Sequence, residues 1–199
     1  MIGLAVILRN ELPLIDGFIV ENEVFTLFNK VVFVDDFSDD GSYEKLLQYF
    51  ASGRNGKHRE DAIYRRSLNY NFSEQRNYAA SFLNTDYICR IDLDEIMNDV
   101  TKQFISGRGF EFDFYKIHRE EIIDGELREV SEQPFLYRNS ANIKWVRTVH
   151  EWLAGYETME VLPSDCRLLH YKTSERCAKQ NQFYHNNFEE HRQITGAER

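Results

Sequence analysis

The period of the apolar positions changes along the chain, and the change divides it in two. Gly3-Leu-Ala-Val-Ile-Leu8 is an unbroken apolar run of strand length, the pattern of a strand buried on both faces. From Leu12 to Asn29 apolar residues recur at a near-helical spacing, with Pro13 in the first turn, which predicts a helix. Lys30-Val-Val-Phe-Val34 predicts a second buried strand, halted by Asp35-Asp36-Phe37-Ser38-Asp39-Asp40-Gly41. Tyr43–Ala51 predicts a helix with Leu46, Leu47 and Phe50 on one face. A polar loop over 52–61 leads to a third expected strand, Ala62–Leu68. Asn71-Phe-Ser-Glu74 has the spacing of a capping box, with Asn in place of Ser or Thr, and opens a helix to about Leu83. Tyr87-Ile-Cys-Arg-Ile91 predicts a further strand that runs into Asp92-Leu93-Asp94-Glu95.

Strand and helix alternate to this point, which predicts an α/β fold with a mostly parallel central sheet and helices on its faces. Beyond residue 110 the pattern becomes mixed. Phe112–Ile123 and Glu126–Arg138 flank Asp124-Gly125, a strong two-residue hairpin turn. Shorter strands are expected around Ile143–Val149 and Asp165–Tyr171, followed by a polar helix over Ser174–Ile194. No internal repeat or linker divides the chain. It reads as a single domain over 1–199, with a ligand-binding half at 1–100 and a second half at 101–199, and its charged tail is compatible with one domain of a longer protein.

Composition narrows the function classes. The net charge is −9, with no run of basic residues, which argues against a nucleic-acid partner. No stretch of 18 apolar residues occurs, so no membrane span is expected, and residues 1–20 lack a basic leader. Cys89, Cys166 and Cys177 are odd in number and have no CxxC spacing, so neither a disulfide framework nor a zinc knuckle is indicated. These features predict a soluble, reduced, cytoplasmic protein.

Three polar clusters follow predicted strands: Arg9-Asn10-Glu11, Asp35 to Asp40, and Asp92 to Glu95. In open parallel sheets, ligands bind beyond the carboxyl ends of the strands. Asp92 and Asp94, held close at such an end, repel one another unless a cation lies between them. Mn²⁺ or Mg²⁺ takes oxygen ligands of this kind and commonly bridges to a diphosphate. A solvated acidic turn capping the next helix is the plain alternative. Asp40 reads as a helix cap, which leaves Asp35 and Asp36 to accept a pyrimidine N3–H and ribose hydroxyls. Glu151 follows Val146-Arg-Thr-Val-His150, read as a strand, and an unpartnered carboxylate there is expected to have a raised pKa.

The chain resembles the inverting family 2 glycosyltransferases of GT-A fold. The likeness lies in Val6-Ile-Leu-Arg-Asn-Glu11, Val31 to Gly41, Asn71-Phe-Ser-Glu-Gln-Arg-Asn77 and Arg90-Ile-Asp-Leu-Asp-Glu95, followed in order by His150-Glu151 and His170-Tyr171. It covers residues 2 to about 185 and is closest to the short branch that includes lipopolysaccharide-core-type transferases. Phe37 departs from the family, which usually carries Gly there. The resemblance implies a UDP- or dTDP-type nucleotide-sugar donor and a glycan or glycoprotein acceptor. It implies that Asp35 and Asp36 hold base and ribose, with the main chain near Leu8, Arg9 and Asn10 lining the base. Arg76 is then expected near the base or diphosphate, supported by Asn77. Asp92 faces ribose and metal, Asp94 is the main metal ligand, and His170 completes the metal or diphosphate site. Glu151 is the expected general base, with Asp113 in reserve.

Two competing readings come from other classes. Asp92 resembles the nucleophile of a haloacid-dehalogenase-like phosphatase, but Glu95-Ile96 stands where that motif wants Gly-Thr. A non-catalytic nucleotide-sugar binding module is the other.

Overall fold

The computed structural model describes residues 1–51, 60–107, 109–188 and 191. The chain opens with β1 (Ile2–Leu8), α1 (Leu12–Glu21), α2 (Val24–Leu27), β2 (Lys30–Asp35), α3 (Ser42–Ala51) and β3 (Ala62–Arg65). It continues through α4 (Phe72–Ala80), β4 (Tyr87–Arg90), β5 (Glu95–Met97) and α5 (Asp99–Gly107). The second half holds β6 (Phe114–Ile123), β7 (Glu126–Arg138), β8 (Lys144–Val146), β9 (Trp152–Ala154), β10 (Met159–Val161), β11 (Arg167–Lys172) and α6 (Ser174–Asn187).

The main sheet runs β3-β2-β1-β4-β7-β6-β11-β5, with β10 paired to β6. β3, β2, β1 and β4 are mutually parallel, and β7 enters antiparallel to both β4 and β6. β11 and β10 are parallel to β6, and β5 is antiparallel to β11. The pairing is thus parallel in the first half and mixed in the second, as the shift in apolar period predicts. β1 and β2 are buried on both faces, and their side chains enter two cores on opposite sides of the sheet. Leu4, Val6 and Phe33 pack with Ile15, Phe18 and Leu46, while Ala5, Val32 and Val34 pack with Ala79, Leu83 and Trp145. Asp124 and Gly125 both have positive φ, 51° and 83°, the two-residue turn whose twist matches the β6–β7 hairpin.

Several expected elements differ. The helix expected over Leu12–Asn29 breaks at Asn22-Glu23, because the Asn22 side chain is fixed to a distant strand. Its Nδ2 donates to Glu95 O at 2.9 Å and its Oδ1 accepts from Met97 N at 2.7 Å. The third strand stops at Arg65 rather than Leu68: Arg66 N makes the last ladder bond, to Asp35 O, and Leu68 N then turns to the Asp36 carboxylate. Only Lys144–Val146 of the strand expected at Ile143–Val149 is extended. Elements α5, β5, β9 and β10 were not expected at all. The polar loop lies outside the described residues at 52–59, as does the tail of the last helix at 189–190 and 192–194.

Candidate active site

The carboxyl ends of β1, β2 and β4 open into a cleft of about 1100 Å³. Loop 147–151, α6 and residues of β6, β7 and β11 form its other walls. Leu8, Arg9, Asp36, Arg76, Asp92, Asp94, Glu151 and His170 line it together. These come from six separate stretches of sequence, so the strand-end clusters and the two His motifs do converge.

At the end of β1 the chain turns through Asn10, at φ 55°, and its backbone N–H donates to Ser38 Oγ at 2.8 Å. Asn10 Nδ2 donates to Asp39 at 2.9 Å, so this side chain ties two loops together and is not a cleft wall. Asp36 accepts from Leu68 N at 2.9 Å and from Arg9 Nη1 at 3.1 Å, which fixes its carboxylate at the rim. Asp35 is fully buried behind it and accepts from Ser38 N at 3.0 Å and Arg65 Nε at 3.2 Å. Phe37, between them and the Ser38 turn, has φ 50° and an exposed ring. A backbone of that shape favours glycine, which explains the family preference the chain departs from.

Helix α4 is capped by Asn71, whose Oδ1 accepts from Glu74 N at 3.1 Å. The reciprocal half of the capping box is absent, because Glu74 pairs with Arg66 at 3.2 Å. The helix delivers Arg76 to the centre of the cleft. Its Nη1 and Nη2 donate to Asp92 at 3.1 and 3.3 Å, and its Nε donates to Glu151 at 2.7 Å. The guanidinium also lies 5.4 Å from the Trp145 ring centroid. Asn77 does not reach the cleft: it clamps β8, donating to Trp145 O at 2.8 Å and accepting from Trp145 N at 3.0 Å.

Asp92 and Asp94 flank the buried Leu93 just past β4. Arg90 donates to Asp92 and, from the same guanidinium, to both oxygens of Glu95 at 3.1 and 3.2 Å. Burial raises the Asp92 carboxyl, but the charges of Arg76 and Arg90 outweigh it and hold the group well below the usual carboxylate range. Asp94 faces the other way. Its Oδ2 lies 3.2 Å from His170 Nε2 and 3.1 Å from Arg176 Nη2. Burial opposes ionisation there too, and the His170 hydrogen bond overrides it to lower the Asp94 pKa. His170 Nδ1 is buried and has no hydrogen-bond partner in the structure.

Arg176 and Glu11 are site residues that sequence reasoning missed. Arg176 Nη1 and Nη2 grip the Glu11 carboxylate at 2.9 and 2.7 Å, the bidentate geometry of a strong pair. Burial keeps the Glu11 carboxyl above its ordinary value despite that contact. Glu11 does stand in the Arg9-Asn10-Glu11 cluster, but no local pattern could announce a partner 165 residues away.

Glu151 needs a correction. It does not end a strand: Arg147 and His150 have φ 74° and 52°, which no strand tolerates, and β9 starts only after Glu151. Nor is it unpartnered, since Arg76 holds it. The irregular loop is fixed to α4 by Phe72 N donating to Thr148 O at 2.9 Å and by the Ser73 hydroxyl on Arg147 O. Asp113, the reserve base, lies outside the cleft walls. It accepts from Arg138 Nε at 2.9 Å and from the backbone N–H groups of Glu157 and Thr158, which together lower its pKa.

With this geometry in hand, comparison with known proteins is direct. Residues 6–104 match the model of Glycosyl transferase family 2. The segment carries β1 through most of α5, hence both strand-end acidic clusters. Among solved structures, the chain is similar to S. aureus TarS 1–349 in complex with UDP-GlcNAc, at TM-score 0.59 and 18% identity over 87% of this chain and 58% of that one. TarS 1–349 in complex with UDP matches at TM-score 0.56 and 18% identity, over 86% and 60%. The fold is therefore the GT-A nucleotide-sugar transferase fold, a mixed α/β sheet with flanking helices. The chain spans about three fifths of the length of those TarS structures. No curated protein matches it. Among the described residues, no helix is long and apolar enough to cross a membrane.

Proposed function

We propose that this protein is an inverting, metal-dependent glycosyltransferase of the short lipopolysaccharide-core-type branch, which moves a sugar from a UDP- or dTDP-type donor to a hydroxyl of a glycan or glycoprotein acceptor. The observation that carries this reading is the convergence of Asp36, Arg76, Asp92 and Asp94, all within the segment that matches family 2, with Glu151 on one cleft at the parallel strand ends. The TarS structures with UDP and UDP-GlcNAc support the donor class.

Asp36, with the main chain of Leu8 and Arg9, receives base and ribose, while buried Asp35 shapes the loop behind it. The donor set at Asp94 suits a divalent ion: a carboxylate oxygen and an imidazole nitrogen converge within 3.2 Å. The described residues gather no cluster of three or more ligands. Mn²⁺ or Mg²⁺ is commonly held by one or two protein groups plus substrate phosphates, and Asp94 with His170 would supply the protein groups here. When bound, the ion supplies charge neutralisation on the departing diphosphate. Arg76 does the chain's own work at the centre: it positions Asp92 toward the donor and fixes the orientation of Glu151. Glu151 takes the proton of the attacking acceptor hydroxyl, and single displacement at the anomeric carbon inverts its configuration. Only one carboxylate acts on a proton, unlike the paired acid and base of glycosidases.

Thermal shift against UDP- and dTDP-sugars, with and without Mn²⁺, tests the reading. A metal-dependent rise in Tm with a nucleotide sugar is expected. No shift with any donor, together with hydrolysis of a generic phosphate ester, would transfer the site to phosphatase chemistry.

A further inference from the structure

Arg176 lies where a metal site should be most acidic. Its guanidinium touches Asp94 Oδ2 at 3.1 Å and grips Glu11 at 2.7 and 2.9 Å, so one positive charge serves two carboxylates. Asp94 is almost fully buried, and its second contact is His170, the other proposed metal ligand. A divalent ion and this guanidinium therefore compete for the same oxygen. The residue is also open to solvent. It sits in the first turn of α6, a helix that buries none of its described side chains, at the end of a long side chain about one third exposed.

We propose that Arg176 is a built-in counter-ion that exchanges partners when donor binds: the metal takes the Asp94–His170 pair, and the guanidinium transfers to the donor's diphosphate. The inference rests on the donor reading above and assigns Arg176 as a donor-binding residue. The physics of the exchange has two parts. Before binding, Arg176 neutralises Glu11 and Asp94, whose mutual repulsion would otherwise be uncompensated in a buried site. During binding, a guanidinium released beside a diphosphate meets a more highly charged acceptor that it can also grip with two hydrogen bonds, in place of a carboxylate it must share. Metal alone gains little, since it must evict a cation without giving it a new partner. Metal and diphosphate together give both Asp94 and the displaced guanidinium a new partner, so each raises the affinity for the other.

The decisive signature is a pair of opposite changes in one variant. Mn²⁺ alone is titrated by electron paramagnetic resonance, and UDP by calorimetry at saturating Mn²⁺. Arg176→Ala is expected to bind Mn²⁺ roughly tenfold more tightly than the wild-type protein, because the competing charge is gone. The same variant is expected to bind UDP several-fold more weakly at saturating Mn²⁺, and Arg176→Lys to recover part of that UDP affinity by restoring charge without the fork. Glu11→Gln is the control for a loosened helix: it removes the bidentate grip but leaves the guanidinium on Asp94, so its Mn²⁺ affinity should not rise. Unchanged Mn²⁺ or UDP affinity in Arg176→Ala overturns the exchange, as does Glu11→Gln matching Arg176→Ala for Mn²⁺. Failure of the wild-type protein to bind UDP under any condition sinks the donor reading, and the exchange with it.

Discussion

Arg76 Nε donates to Glu151 Oε1 at 2.7 Å, and this bond links helix α4 to the loop that carries the proposed base. The other side of the same guanidinium holds Asp92. The spacing between donor carboxylate and base is thus set by one rigid, planar group rather than by two independent loops. Glu151 gains an orientation it could not have at the end of an irregular segment, and Arg76 is charged at every accessible pH.

Glu151→Gln retains the length and one acceptor oxygen for Arg76 but removes the proton-accepting oxygen anion. Single-turnover transfer at saturating donor is expected to fall roughly 10²–10⁴-fold, with donor affinity close to wild type. Asp113→Asn, measured in parallel, should lower Tm while leaving the transfer rate near wild type, since its bonds to Arg138 and to the Glu157 and Thr158 amides lie outside the cleft. A crippled Asp113→Asn with an active Glu151→Gln would move the base to the β6–β7 side.

Asp40 gives the fold a pH-dependent joint. Its carboxylate accepts from Ser42 Oγ at 2.6 Å, Ser42 N at 2.9 Å and Leu12 N at 3.0 Å, tying the start of α3 to that of α1. Burial raises the pKa, and these donors together outweigh it, so the folded value lies below the ordinary one. A depressed folded pKa stabilises the native state above the unfolded value of about 3.9, and that stability is lost as pH falls through the folded value. Asp40→Asn should therefore melt below wild type at pH 7, and the gap should close in scans carried down through the depressed folded pKa, below the ordinary aspartate range.

Gly155 ends β9 at φ 85°, and a Cβ there would lie 1.9 Å from Asn142 O. Backbone cannot yield as a flexible side chain does. Gly155→Ala is expected to destabilise the protein by about 2–4 kcal/mol, from left-handed strain plus overpacking, with the loss read by chemical denaturation. Because the β8–β9 pair brackets loop 147–151, the variant should also lose transfer activity at temperatures where it remains folded.

The strands that build the donor side were legible because burial on both faces leaves an apolar run with no competing period, as in β1, β2 and β4. The hairpin was legible through Asp124-Gly125. Helix α5 had a local signal that went unused: Asn98 caps it, accepting from Thr101 N at 3.0 Å, with Asp99 in the first turn and Ile105 on the buried face. The break at Asn22 had none, since its cause is a pair of bonds to β5 more than 70 residues away. In the cleft, residue types at strand ends were readable, and their pairing was not. An arginine that bridges Asp92 and Glu151, or one that reaches from α6 to Glu11, leaves no trace in spacing, because ion pairs depend on where whole elements dock. The departure at Phe37 was visible as a residue type, while its meaning required the backbone angle.

The charge balance of the cleft bears on how fast a donor arrives. Six basic side chains face seven acidic ones along its described walls, so the cavity is nearly neutral in a molecule of net charge −9. An anionic nucleotide sugar is then repelled over most of the exterior and meets no such barrier once inside. For most enzymes of anionic substrates, added salt slows association by screening attraction. Here the screened component is repulsive, so moderate salt lowers the approach barrier, while the short, partly buried pairs that Arg76 and Arg176 make are screened far less.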